Sequence, residues 1–274
     1  MQKLLLLFAL PLLLFSCNKN SAKLSTTSES GFVDLFNGKD LDNWNLKIRN
    51  GDAAEAKRIF AVSDGMVHVF KDHPDSLNLT QNKGALHGLM YTKKAYDRYI
   101  FRFEYKWGKK IFNNFDQFQY DAGCYYHVYD DKIWPFGIEY QVRYNHLTEE
   151  NHTGDYWASN TLFQWTKGAD DKFALPQNGG QPTAKRQGEH RAANAKYHAL
   201  DGGWNTCEVI VMDSTYSIHK LNGQLVNYAT ELSLGKGIIG LQCETAEIYY
   251  RNIQIKEFKE FVPASAFVPG LSKR

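Results

Sequence analysis

Apolar and polar residues alternate along most of this chain, with the period of two that places successive side chains on opposite faces of a strand. The clearest run is Arg98 to Trp107. Tyr99, Phe101, Phe103, Tyr105 and Trp107 fall on one side of it, and Arg102, Glu104 and Lys106 on the other. A second run sets Ile138, Tyr140 and Val142 against Glu139, Gln141 and Arg143, and a third, Gly123 to Tyr129, places Tyr125, His127 and Tyr129 on a common face. Shorter strands are predicted at Phe32 to Phe36, Leu86 to Thr92, Tyr156 to Trp165, Gly237 to Gln242 and Glu247 to Ile255. Arg58 to Phe70 reads as a hairpin turning at Asp64-Gly65. Trp204 to Met212 and Tyr216 to Leu221 read as another, followed by a turn at Asn222-Gly223. Asp52 to Arg58 is the one short helical excursion. Roughly a dozen turn-bounded strands with almost no helix predict an all-β sandwich or barrel. Residues 71–84 and 108–120 read as loops. Thr166 to about Leu200 is punctuated by Gly and Pro, is rich in Lys and Arg, and lacks apolar periodicity, which predicts a loop at the mouth of a site.

The two ends break the pattern. Lys3 gives a short basic region, Leu4 to Phe15 an apolar one, and Leu14-Phe15-Ser16-Cys17 the form of a lipoprotein cleavage site. That run is shorter than the ~20 residues needed to span a bilayer. The expectation is a signal peptide over 1–17 ending at a lipidated Cys17, a flexible tether over 18–30, one domain over 31–258, and an irregular strap over 259–274. The protein would then sit in a bacterial cell envelope, attached to a membrane by its N-terminal lipid. No acidic run follows Cys17, which points to an outer-membrane position facing the periplasm.

A net charge of +2 and the absence of a basic run give no case for nucleic acid. Cys124, Cys207 and Cys243 cannot all pair and contain no CxxC, so buried thiols are expected in place of a disulfide framework or a zinc site. The row Glu139, Gln141, Arg143 is costly to bury and well suited to a polyhydroxylated ligand, which predicts a sugar-handling site on the polar face of a sheet.

Several blocks resemble one family: Phe32 to Trp44, Ala122 to His127, Trp134 to Val142, Gly154 to Trp157, Gly203 to Asn205, Leu221 to Gly223, Gly237 to Gln242 and Arg251 to Lys256. They are similar, in order, to the 3-keto-disaccharide hydrolase family, common among envelope lipoproteins. Asp121-Ala122-Gly123 stands where many members carry Asn-Ser-Gly, and His127 where others carry Arg. The resemblance implies a concanavalin A-like jelly-roll β-sandwich of two antiparallel sheets, with the site on a concave face. It also implies cleavage of 3-keto-glycosides after a separate sugar 3-dehydrogenase has oxidised the substrate, since no nicotinamide-binding Gly-rich turn occurs here.

An ordinary glycosidase sets two carboxyl groups across the scissile bond, whereas Glu139 is followed two residues on by the amide of Gln141. A 3-keto sugar offers another route. The ketone acidifies C2–H, a base removes the proton, the enolate expels the C1 substituent, and water adds back. For this route the candidate catalytic residues are His127, whose ordinary pKa is near ~6.5, and Glu139. Lys106, Arg143 or a divalent ion held by His127 and Glu139 would steady the enolate. Trp134 and Trp157 would stack on sugar rings, and Asp155 and Gln141 would bind hydroxyls. A non-catalytic carbohydrate-binding module and an ordinary glycoside hydrolase are the rival expectations on the same fold.

Overall fold

The computed structural model describes residues 31–73, 86–112, 117–244 and 246–271. The expected leader with Cys17, the tether and most of the 71–84 loop lie outside the described residues. In chain order the strands are β1 (Val33–Asp34), β2 (Trp44–Ile48), β3 (Phe60–Ser63), β4 (Met66–Val69), β5 (Gly88–Thr92), β6 (Arg98–Ile111), β7 (Tyr120–Val128), β8 (Gly137–Asn145) and β9 (Glu150–Asn151). They continue as β10 (Tyr156–Ser159), β11 (Gln164–Lys167), β12 (Gln181–Pro182), β13 (Gly188–His190), β14 (Asn205–Met212), β15 (Tyr216–Leu221), β16 (Gln224–Thr230), β17 (Ile238–Cys243) and β18 (Ala246–Glu257). Between β2 and β3 lies the predicted helix, α1 (Ala53–Ile59). Asp52 caps it by accepting from the amides of Ala54 and Glu55 at 2.9 Å each.

The strands form two antiparallel sheets. One runs β12-β11-β16-β15-β14-β6-β18-β4-β3, with β1 added on β18. The other runs β13-β10-β8-β7-β17-β5-β2, with β9 added on β8. Phe101, Phe103 and Tyr105 of β6 meet Tyr126, Tyr140 and Val142 of β7 and β8 between them, all buried. Buried phenols need hydrogen-bond partners, and here they find them across the core. Tyr126 donates to Ser217 Oγ at 3.0 Å, Tyr140 to the Lys220 carbonyl at 3.1 Å and Tyr156 to the Ser217 carbonyl at 2.9 Å. The smaller sheet is thereby bolted to β15 of the larger one. The result is an all-β sandwich, one of the two architectures that the alternation predicts, in the jelly-roll form that the family resemblance implies. Cys124, Cys207 and Cys243 are buried free thiols.

The structure departs from the expected elements in several places. Strand β6 runs past Trp107 to Ile111, because β18 offers Ala246 as its partner there, and Tyr120 already opens β7. The single strand expected over Tyr156 to Trp165 is two strands in different sheets. Asn160, at φ 50°, turns the chain between them, and Phe163 and Trp165 enter the core. The stretch 166–200 carries short regular pieces: β12, β13 and a 3-10 turn at Pro176–Asn178. Its β12 ends the larger sheet and contains Pro182, which has no N–H to offer a further strand. The tail holds one 3-10 turn, Ala264–Ala266. A further departure, in β7, bears on the site and is described below. Among the described residues no helix is long and apolar enough to cross a membrane.

Candidate functional site on the outer face of the smaller sheet

Strand register assembles the site. On the face of the smaller sheet turned away from the core, one cross-strand row reads Tyr91, Gly240, Tyr125, Glu139, Trp157, Glu189. The next row reads Leu89, Gln242, Gly123, Gln141. In the third, Asp121 of β7 faces Arg143 of β8, and Glu244, just beyond β17, hydrogen-bonds to His87, just before β5.

Glu139 stands at the centre, 2 % exposed, and accepts from Gln141 Nε2 at 3.0 Å and from the Tyr125 hydroxyl. Burial pushes its carboxyl up to about 8, with help from the charge of Glu244 and against the pull of Arg143. Its carboxyl leans over Gly123, where a Cβ would come within 2.0 Å of Oε1. Only glycine leaves that space. Asp121 is raised for the same reasons: burial first, then the charges of Glu244 and Glu139. Two amide oxygens, Gln141 Oε1 and Gln242 Oε1, are buried on this floor without a hydrogen-bond partner. Unsatisfied buried acceptors of this kind suit ligand hydroxyls.

Trp157, on the strand neighbouring Glu139, is 39 % exposed, and Trp134, 46 % exposed, lies with its ring 4.4 Å from that of His87. Both therefore flank the floor as open aromatic surfaces. Arg143 is buried beneath the Phe118 ring, 4.2 Å away, and is paired with Glu189 on β13, so the 166–200 stretch does reach the rim.

Three expected site residues stand elsewhere. His127 does not meet Glu139. Strand β7 carries a bulge: Tyr125 faces Gly240 and Val128 faces Ile238, so three steps on β7 match two on β17, and His127 takes φ 53°. The bulge breaks the face that Tyr125, His127 and Tyr129 were expected to share. Val128 joins Leu89, Tyr91 and Tyr125 in the outer cluster. His127 is wholly buried, donates from Nδ1 to the Leu234 carbonyl at 2.8 Å, and is held down to about 4 by burial. Lys106 lies on β6 of the opposite sheet, against the rings of Trp204 and Tyr249. Asp155 is buried and fully engaged, accepting from His152 Nδ1 at 2.9 Å and from the Ala192 amide at 2.6 Å. It braces the rim.

The expected cation pair of His127 and Glu139 is thus not formed. Among the described residues His152, Asp155 and Glu189 bring ligand atoms within 4.8 Å of one another. Arg191 lies 3.4 Å from Asp155 and Arg143 pairs with Glu189, so guanidinium charge already occupies that cluster. Glu189 is held at about 2 by His152, 3.7 Å away, and by the neighbouring arginines. The residues present do not fit a metal there.

A cleft of about 630 Å³ lies elsewhere, at the β2 edge, lined by Asp40, Trp44, Lys47, Lys57, Phe60 and Asp131 among others. Its Lys47 and Asp131 neutralise each other at 2.5 Å, and it holds none of the buried ionisable groups described above.

Asp121, His87, Gln242 and Glu244 also stand on this candidate floor, and the strand pattern alone does not single them out. One signal exists in hindsight: Ile238, Gly240, Gln242 and Glu244 form one alternating face that ends polar.

The fold is a two-sheet antiparallel jelly roll whose smaller sheet carries a polar floor flanked by two exposed tryptophans. The chain belongs to the family described as the 3-keto-alpha-glucoside-1,2-lyase-like domain, which matches residues 31–256. Two crystal structures of candidate glycosyl hydrolases from Parabacteroides distasonis ATCC 8503 share the fold. The first is 20 % identical, with a TM-score of 0.50 over 84 % of this chain and 94 % of that one. The second is 16 % identical, with a TM-score of 0.50 over 83 % of this chain and 99 % of that one. A Bacillus licheniformis β-glucanase is more distant, at 12 % identity and a TM-score of 0.43 over 85 % of this chain and 100 % of that one. No curated protein sequence matches the chain.

Proposed function

We propose that this protein cleaves 3-keto-glycosides by loss of the C2 proton, elimination of the C1 substituent and hydration. The observation that carries the reading is Glu139, a buried carboxyl that keeps its proton up to about pH 8 on a floor flanked by the exposed Trp134 and Trp157. In this role Glu139 gives its proton to the leaving oxygen as the C1–O bond breaks. The carboxylate then takes a proton from the water that adds at C1. Arg143 supplies positive charge on the same face to the enolate, and Trp134 and Trp157 offer stacking surfaces. The family match supports the substrate class. A separate dehydrogenase would supply the ketone, because the step described here transfers no hydride.

The test is release of aglycone from a 3-keto-glucoside, run beside the unoxidised glucoside. Parent protein should act on the oxidised sugar alone, and Glu139→Gln should slow release by about 10²- to 10⁴-fold. No release from the 3-keto substrate would sink the proposal. A second reading, ordinary glycoside hydrolysis, is favoured by the presence of Asp121 and Glu244 near Glu139, since such enzymes use paired carboxyl groups. It predicts turnover of the unoxidised glucoside. Binding without any release would mark a carbohydrate-binding module.

A further inference from the structure

Elimination across C1–C2 needs a base as well as an acid, and Glu139, protonated and buried, suits only the acid. The missing group is not His127, which lies in the bulge against Leu234. Asp121 faces Arg143 across the ladder, and its carboxyl is pushed toward the neutral form by burial. Glu244 differs from both neighbouring carboxyls. Its side chain is 14 % exposed, so it opens to a ligand, while Oε1 is fixed by the buried imidazole of His87. That ring is covered by Trp134, an aromatic surface of the sort on which a sugar ring stacks.

Register places Glu244 toward the end of the sheet over which the Glu139 carboxyl leans. Glu139 extends above Gly123, and Gly123 lies on the same row as Gln242, two residues before Glu244. The floor between the two carboxyls therefore consists of a glycine and two buried amides, Gln141 and Gln242, each with an unpartnered oxygen. The groups facing Glu244 are His87, Asp121, Glu139 and Tyr125.

We propose that Glu244 is the general base that removes the C2 proton, with His87 as the residue that positions it. The inference rests on the 3-keto reading given above. The C2–H bond breaks, its proton passes to the free oxygen of Glu244, and its electron pair forms the enolate. The enolate expels the C1 oxygen, which leaves with the proton from Glu139, giving a C1=C2 enone. Water then adds at C1, and Glu244 returns its proton to C2. No oxidant or reductant is required.

The experiment incubates full-length protein with 3-keto-glucosides in D2O, following both deuterium entry at C2 and aglycone release for an alkyl and a nitrophenyl leaving group. Glu244→Gln should lower exchange and release together, by about 10²-fold or more, whichever group leaves. Glu139→Gln should retain exchange and lose release mainly for the alkyl substrate, whose oxygen needs a proton. Exchange by Glu244→Gln within about threefold of the parent would overturn the assignment while leaving the function intact. Parent protein inert in both assays would overturn both. Should Glu244→Gln fail to fold, His87→Gln reads the same pair. The acid limb of its exchange–pH profile should move, and a profile superimposable on the parent's would count against the dyad.

Discussion

Glu139 and His127 show how burial of a single side chain sets opposite demands on the folded state. The Glu139 carboxyl sits at about 8, against 4.5 for an ordinary one. The folded chain therefore holds this proton more tightly than the unfolded chain. Its contribution to stability is complete below about pH 4.5 and is lost as pH rises through about 8. Glu139→Gln removes that loss. By differential scanning calorimetry the variant should melt above the parent at pH 8, with the advantage vanishing near pH 4.5; a parent that melts higher at pH 8 would contradict the assignment. His127 and His219 act in the other direction. Burial holds them at about 4 and about 3, so their contribution is present above about 6.5 and fades as pH falls. Glu139 was legible in the sequence because strict alternation exposed it. His127 leaves its expected face at a bulge, which alternation cannot reveal.

At the scale of the element, β7 does most to shape the floor. It contributes Asp121, Gly123 and Tyr125 from one face and Tyr126 to the core, and the bulge at its end turns His127 inward. A methyl group at position 123 would collide with the Glu139 carboxyl at 2.0 Å. Gly123→Ala should therefore force that carboxyl aside, at about 1–3 kcal/mol in stability, and lower aglycone release by at least about tenfold. Chemical denaturation and the release assay check the two effects separately, and an alanine variant with parental turnover would show that the lean over Gly123 is dispensable. The existence of β6, β7 and β8 could be read from their patterns. Their ends and the sheet change at Asn160 could not, because both depend on which neighbour supplies backbone partners.

At the scale of the molecule, two bolted sheets hold groups that are far apart along the chain. His87 and Glu244 are separated by 157 residues yet share one hydrogen bond. Local periodicity reports which face a residue takes, but not which row it joins, so the sandwich was legible while the Glu244 side of the candidate site was not. The aromatic blocks and Glu139 were legible because they lie within single strands. The N-terminal segment gives a prediction at the same scale. If Cys17 carries lipid, Cys17→Ala should move the protein from the membrane fraction to the soluble fraction while the purified domain keeps its turnover. Fractionation followed by immunoblotting checks this, and an unchanged distribution would remove the anchor.

The proline in the last strand of the larger sheet has a consequence for life among identical copies. A β ladder grows by offering amide hydrogens to the next chain, and at Pro182 that offer is withheld on a rim only two residues long. Along this border molecules can crowd together without stitching into fibrils. At this border the fold checks the growth of its widest layer by a covalent ring.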